Sequence, residues 1–315
     1  MLDRIPIMDV KKCPKCRKRK PVSDTLIITK WYGRLGNNIT QIVHAVSAAT
    51  QYNFNTIFIP KHPYFNTTKI ILENKNNTKN PCQHLLRGVF FGREGIVKLL
   101  NSASLSVDDT TLNINDTGSY IDKSVSEAVK RILTKIFILF PCQPTSPTPK
   151  RSNNDNLILS NNELVIHIRS GDVYSDNPNS GWVQPPLSFY KKVIDSYNWR
   201  QIYIICEDTK SPILNHLVKL YPNIIFKQQS LEEDIQYVIN CQNICFGYGS
   251  FVPALLLLND NIDTIFYPEY CYRGILDLCA YKKSVKYQLN NYINVGEWKN
   301  TKEQKDCMLQ YEGVI

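Results

Sequence analysis

The stretch LVIHIRSGDVY, residues 164–174, decides how this chain is read. Leu164, Val165, Ile166 and Ile168 carry the apolar pattern of a buried strand, and the run then turns polar around Gly171. His167, Arg169, Ser170 and Asp172 crowd its end. A guanidinium carried to the end of a core strand is costly unless something pairs with it. Either Asp172 is that partner or a ligand is.

Downstream, strands and helices alternate. ELVIHI is followed by helix PLSFYKKVIDSYN, strand QIYIIC, helix SPILNHLVKLY and strand NIIFK. Helix SLEEDIQYVINCQ, strand NICFG, helix FVPALLLLN and strand DTIFYP complete the run. Ser230 and Glu233 form a capping-box pattern at one helix start. Such alternation means a parallel sheet covered on both faces.

Upstream, PCQPTSPTPKRSNNDN (141–156) breaks all periodicity with four prolines and marks the best domain boundary. Before it, strand TLIITKWY, turn GRLGNN, helix ITQIVHAVSAATQY and strand NTIFIP open a second Rossmann-like unit. The middle is Asn-rich, with strands expected at KIILEN and GVFF, a helix near REGIVKLLNS and a long helix at KSVSEAVKRILTKIFILF. The expected organisation is a basic tail (1–23), an N-terminal Rossmann-like domain (24–150), a C-terminal nucleotide-sugar-binding domain (151–290) and an extension (291–315). The fold class is α/β, two Rossmann-like domains facing across a cleft.

With 315 residues and 43% hydrophobic composition, the chain can fill two cores. It shows neither a transmembrane-length apolar run nor a signal-peptide pattern, so a cytoplasmic location is the expectation. Its ten cysteines then read as free thiols. The sequons at Asn38, Asn66, Asn76 and Asn115 follow from Asn-rich composition. The net charge of +9 points to an anionic partner, but much of it lies in residues 1–20, which argues against a dedicated nucleic-acid fold. KKCPKCRKRK could touch an anionic surface or be simply solvated. Cys13 and Cys16 make half a zinc site without a second pair.

In a doubly wound sheet, ligands bind beyond the carboxyl ends of the strands. HIRSGD, GYGSF (247–251) and GRLGNN (33–38) all fall at such ends. Gly247, Gly249 and Ser250 read either as an anion-binding turn or as an ordinary strand-to-helix turn. Arg169 would supply a planar fork to the same phosphate. Trp182 is a candidate for stacking on an acceptor sugar, against a packing role.

In this order the motifs resemble the fucosyltransferase superfamily of GT-B fold, which groups α1,2-, α1,6- and protein O-fucosyltransferases. The resemblance runs over residues 26 to 270, without a match in the middle. It implies that His167 bonds the guanine end of GDP-fucose and that Arg169 holds the β-phosphate. It implies that Asp234 reads guanine N–H groups, and that Gly249, Ser250 and Phe251 form the phosphate turn. Asn37 would lie near the reacting centre, with Gly33, Arg34 and Gly36 beside the donor and Asp172 at its arginine. The chain carries Ser170 for the family's second arginine and Asn38 for its usual Gln.

The activity implied is inverting transfer of fucose to a glycan acceptor. No Asp-x-Asp metal clamp is seen, so neither metal nor cofactor is expected, and Arg169 would neutralise the leaving diphosphate. Asp172 is the nearest carboxylate for a general base, with a salt bridge as its other reading. Two other readings stay open: a non-catalytic glycan- or nucleotide-binding protein of the same fold, and a transferase for another nucleotide sugar.

Overall fold

A computed structural model describes residues 25–28, 30–52, 55–72, 97–99, 125–139, 159–226, 228–271 and 275–315. The basic tail, Cys13, Cys16, GVFF and the proline-rich segment 141–156 lie outside the described residues. The chain divides into two units: one of residues 1–33 and 40–138, the other of 34–39 and 139–315. Arg34–Ile39 therefore belongs with the second unit although it is far upstream in the chain.

In the first unit, β1 (Thr25–Ile28), the part of α1 (Leu35–Tyr52) from Thr40 onward and β2 (Thr56–Phe58) give the expected β-α-β opening, with β1 and β2 parallel. Ile42, Val43, Val46 and Ala49 recur at helical spacing and are fully buried, which is why this segment is helix. The sheet is mixed: β3 (Lys69–Ile71) pairs antiparallel with β2, and β4 (Val97–Leu99) pairs antiparallel with β1. A helix was expected near REGIVKLLNS; the structure has strand β4 there. A short apolar run such as IVKLL has no period that separates strand from helix, and ladder pairing with β1 decides it. Helix α2 (Ser126–Ile136) buries Val129, Ile132, Leu133 and Ile136 along one stripe. It stops at Phe137, which turns extended and bridges to Phe65.

The second unit contains a six-stranded sheet, ordered β10-β9-β8-β5-β6-β7, in which every pairing is parallel. Its strands are β5 (Glu163–Ile168), β6 (Gln201–Cys206), β7 (Ile224–Phe226), β8 (Asn243–Phe246), β9 (Thr264–Pro268) and β10 (Lys283–Tyr287). Helices α3 (Leu187–Asp195), α4 (Pro212–Leu220), α5 (Leu231–Asn240) and the short α6 (Phe251–Leu255) alternate with them. From β5 the chain winds outward through β6 and β7, then returns to the other side of β5 with β8, β9 and β10. That is the order of a doubly wound Rossmann-like sheet. β5 is buried on both faces, so its near-continuous apolar run is what a central parallel strand requires.

Two elements were not anticipated. Strand β10 carries Lys283, Ser284 and Lys286 exposed, and that exposure matches an edge position. The C-terminal residues 291–315 are a packed part of the second unit. Trp298 is 1% exposed and its indole N–H donates to the Val173 carbonyl at 2.8 Å. Helix α7 (Lys302–Gln310) buries Met308 and packs on α3 and α4. The Ser230 capping box is present in both directions, with the Glu233 N–H donating to the Ser230 hydroxyl at 3.2 Å and the Ser230 N–H to the Glu233 carboxylate at 2.9 Å.

Candidate functional site

The winding reverses between β5 and β8, and a doubly wound sheet opens a ligand crevice beyond the carboxyl ends of two such strands. β5 ends at Ile168, leading into Arg169, and β8 ends at Phe246, leading into Gly247–Ser250. The same place receives Arg34–Ile39, all within the second unit.

Local backbone needs explain the glycines there. GRLGNN was expected to be a turn; instead α1 already begins at Leu35, and Gly36 lies in its first turn. A Cβ on Gly36 would stand 2.6 Å from the Phe251 nitrogen and 2.6 Å from the Ser250 carbonyl carbon. Gly36 thus serves close backbone approach, which brings Asn37 to the β8 turn: the Ser250 hydroxyl donates to the Asn37 carboxamide oxygen. Gly171, at a left-handed φ of 66°, would push a Cβ into the Glu207 carboxylate at 2.4 Å. Gly33 also takes a left-handed φ, 63°, immediately before Arg34.

Charges concentrate around Asp172. One Arg34 nitrogen, Nη1, contacts both Glu207 carboxylate oxygens, at 2.8 and 2.7 Å, while Nη2 donates to Asp172 at 2.8 Å. Burial opposes the Arg34 charge, yet the Glu207 and Asp172 carboxylates win and raise its pKa. Arg169 fares differently. Its Nη2 reaches the Asp172 oxygens only at 3.4 and 3.5 Å, and its Nε is buried without a hydrogen-bond partner. Its guanidinium carbon lies 4.2 Å from the Trp182 ring centre, a cation–π contact. Burial, reinforced by the Arg34 charge and only partly offset by Asp172, lowers its pKa. Its Nη1 lies close beside Gly249, 3.2 Å from where a Cβ there would be.

His167 sits on β5 with its ring 5.3 Å from that of Phe251. Burial, with the charges of Arg169 and Arg34, depresses its pKa to about 3, so the imidazole is neutral at physiological pH. Ser170, fully buried, donates to the Asp208 carboxylate, which also accepts from the Gly171 and Lys210 amides at 3.4 and 3.0 Å. Burial alone would raise the Asp208 pKa; the Ser170, Lys210 and Gly171 bonds outweigh it and hold the carboxylate ionised. In this chain the serine at position 170 therefore orients the Gly171 turn.

Asp234 stands on α5, 8% exposed, accepting from the Gln229 carboxamide at 2.8 Å. Burial, reinforced by the charges of Glu233 and Glu207 against the Gln229 bond, raises its pKa to about 7. No hydrogen bond or ring contact among the described residues joins it to His167.

Sequence reading missed three contributors. Glu207 and Asp208 directly follow strand QIYIIC, so the carboxyl-end rule that singled out Arg169 applies equally to them. Gln184 left no signal. Its carboxamide donates to the Trp182 and Tyr248 carbonyls at 3.1 and 3.3 Å, while its own oxygen is buried without a partner. That strap ties the Trp182 loop to the β8 turn. At GYGSF, α6 has only five residues, and the Ser250 hydroxyl donates to Asn37.

Among the described residues, no three His, Cys, Asp or Glu side chains gather as a metal site. No helix among them is long and apolar enough to cross a membrane. Compared with protein-family models, curated proteins and solved structures, the chain gives no match to any of the three.

Proposed function

We propose that the second unit binds the diphosphate of a nucleotide sugar at Arg169 and that the protein is a glycosyltransferase. In this reading the donor is GDP-fucose, the acceptor a glycan, and the transfer inverting and independent of metal. The first unit is then the acceptor-side domain and the second the donor-side domain of a GT-B architecture.

The observation that carries the reading is the state of Arg169. A buried guanidinium with unsatisfied donors is costly, and here Nε has no partner and the Asp172 contacts are long. Asp172 is instead held at 2.8 Å by Arg34. Trp182 lies against the Arg169 guanidinium, and Gly249 leaves the space beside Nη1 free of a side chain. A pyrophosphate oxygen pair is the planar, anionic partner that such a fork accepts. As the sugar C1–O bond breaks, charge grows on the β-phosphate, and a preorganised cation stabilises it most at that moment. A neutral His167 can donate one N–H to the nucleoside end, and an ionised Asp234 can accept from guanine N–H groups.

The test is a thermal-shift panel with GDP, UDP, CMP and dTDP, followed by hydrolysis of the matching sugar nucleotides in excess EDTA. GDP is expected to stabilise most, by about 2.7 kcal/mol at a hundredfold excess over Kd, and hydrolysis to survive chelation. Equal shifts with UDP would remove the guanine assignment. No shift with any nucleotide would remove the diphosphate site altogether. Binding without hydrolysis or transfer would favour the non-catalytic alternative.

A further inference from the structure

A second feature of the same unit lies at the other end of its sheet, where β5, β6, β8 and β9 begin. There the chain forms a cleft of about 320 Å³. The volume is at the lower end of the roughly 300–1,000 Å³ spanned by small-molecule pockets, which suits one ring and not a chain of them. Tyr197, Trp199 and Phe266 supply its aromatic side. The Tyr197 ring packs at 5.1 and 5.6 Å from the other two and remains 41% exposed. Lys283 Nζ is 2.9 Å from the Tyr197 hydroxyl and 5.5 Å from its ring centre. Those two distances put the ammonium nearly in line with the C–O bond, beyond the hydroxyl, and leave the ring faces clear of it.

The rest of the lining is polar and, apart from one carboxylate, uncharged. Asn161, Asn162, Asn198, Asn243 and Thr264 border the cleft. Its one carboxylate, Asp263, is paired with Lys282. Hydrogen bonds within and around the cleft hold this frame in place. Asn243 donates to the Asn161 and Glu163 carbonyls at 3.0 and 3.1 Å, and Ser160 donates to the Asn162 side chain at 2.7 Å. The Arg200 N–H donates to the Asn162 carbonyl and the Asn223 carboxamide to the Trp199 carbonyl. Against this fixed frame, the Asn161 and Asn198 carboxamides make no hydrogen bond within the described residues.

We propose that this cleft binds a single neutral pyranose ring. A carboxamide presents a donor and an acceptor side by side, which matches the vicinal hydroxyls of a sugar. An exposed aromatic ring offers an apolar face to the sugar's C–H side while its hydroxyl stays wet. Within the lining itself, the one charged side chain, Asp263, is already paired with Lys282. Nothing in this proposal requires the Arg169 site to be a donor site.

The experiment titrates the full chain with methyl pyranosides of gluco, galacto, manno and fuco configuration, and with methyl glucuronide as the anionic control. Binding is followed by saturation-transfer and amide-shift NMR. At least one neutral pyranoside is expected to bind saturably in the millimolar range and more tightly than the glucuronide. Asn198→Ala, at an exposed position outside any helix or strand, is expected to weaken it about tenfold, equivalent to about 1.4 kcal/mol. The GDP-induced thermal shift should be the same in the variant as in the wild type, so the two sites fail or stand separately. An oligosaccharide ending in the preferred ring distinguishes the sources: retained affinity assigns the cleft to glycan ends, lost affinity to free sugar. Absence of saturable binding by all four neutral pyranosides overturns the proposal, as does equal affinity in Asn198→Ala.

Discussion

Arg34 holds the Asp172 carboxylate at 2.8 Å, while Arg169, only three residues away in sequence, meets it at 3.4 Å. The two arginines divide the work. Arg34, 55% exposed, is satisfied by Glu207 and Asp172 together; Arg169, 16% exposed, is left short of partners. An unsatisfied buried cation is unfavourable in the free protein and favourable for anion binding. On the proposed function, the bound diphosphate would restore the stability given up there.

Arg169→Lys separates the two uses of this side chain. Lysine keeps the charge but not the planar fork. The melting temperature is expected to change little, because the Asp172 contacts that would be lost are long. Nucleotide-sugar turnover is expected to fall on the order of 10²–10³, about 3–4 kcal/mol, as for removal of one oxyanion donor. Melting curves and kcat on one preparation check both. A destabilised but fully active variant would make Arg169 a structural ion-pair residue.

For Asp172→Asn the expectation is nearly the reverse. Both members of the Arg34–Asp172 pair are substantially exposed, so solvent screening holds its value to about 0–1 kcal/mol. The variant should melt close to wild type and bind GDP at least as tightly, because a negative charge next to the diphosphate has been removed. Weaker GDP binding in Asp172→Asn, measured by calorimetry, would show that Asp172 positions the arginines for the ligand.

Asp234 carries a pH dependence whose sign can be worked out. Its folded pKa is raised from 3.8 to about 7, chiefly by burial. Between those values the folded state keeps a proton that the unfolded state releases. Stability therefore falls as pH rises through that window, by up to about 1.4 kcal/mol per pH unit from this group. Asp234→Asn should remove that slope and be more stable than wild type at pH 8, with the difference vanishing below pH about 4. On the proposed function, GDP affinity should change oppositely in the wild type, strengthening as pH rises through 7, since the carboxylate offers both oxygens to two guanine N–H groups while the protonated acid turns one into a donor. Urea denaturation and GDP titration at pH 6 and 8 test the two halves independently.

Gly36→Ala probes the join between the α1 start and the β8 turn. Its Cβ would meet backbone atoms of Ser250 and Phe251 at 2.6 Å, and backbone cannot swing aside as a flexible side chain can. The expected loss is about 1–3 kcal/mol, read as a drop in denaturation midpoint. Asn37 and Ser250 would be pushed apart with it. A variant as stable as the wild type would mean that this contact is looser than its geometry.

The repeat of strands and helices from Glu163 to Pro268 is legible in the sequence because each element satisfies its own periodicity. ELVIHI is apolar on both faces, and SLEEDIQYVINCQ announces its start with Ser230 and Glu233. Such signals are local, set by which face of ten or so residues must leave water. Arg169 and the HIRSGD turn were legible for the same reason: a charge at the end of an apolar run asks for a partner wherever the chain goes. What the sequence does not contain is the partner's identity. Glycine in GRLGNN looks the same whether it bends a turn or lets two backbones meet, and only the approach of Ser250 and Phe251 shows the second. Likewise Arg34 and Asp172 are 138 residues apart, and no local pattern assigns that carboxylate to Arg34 over the nearby Arg169. Competition between long-range contacts for one charged group is resolved in three dimensions, by distance and burial, and that competition is what leaves Arg169 open.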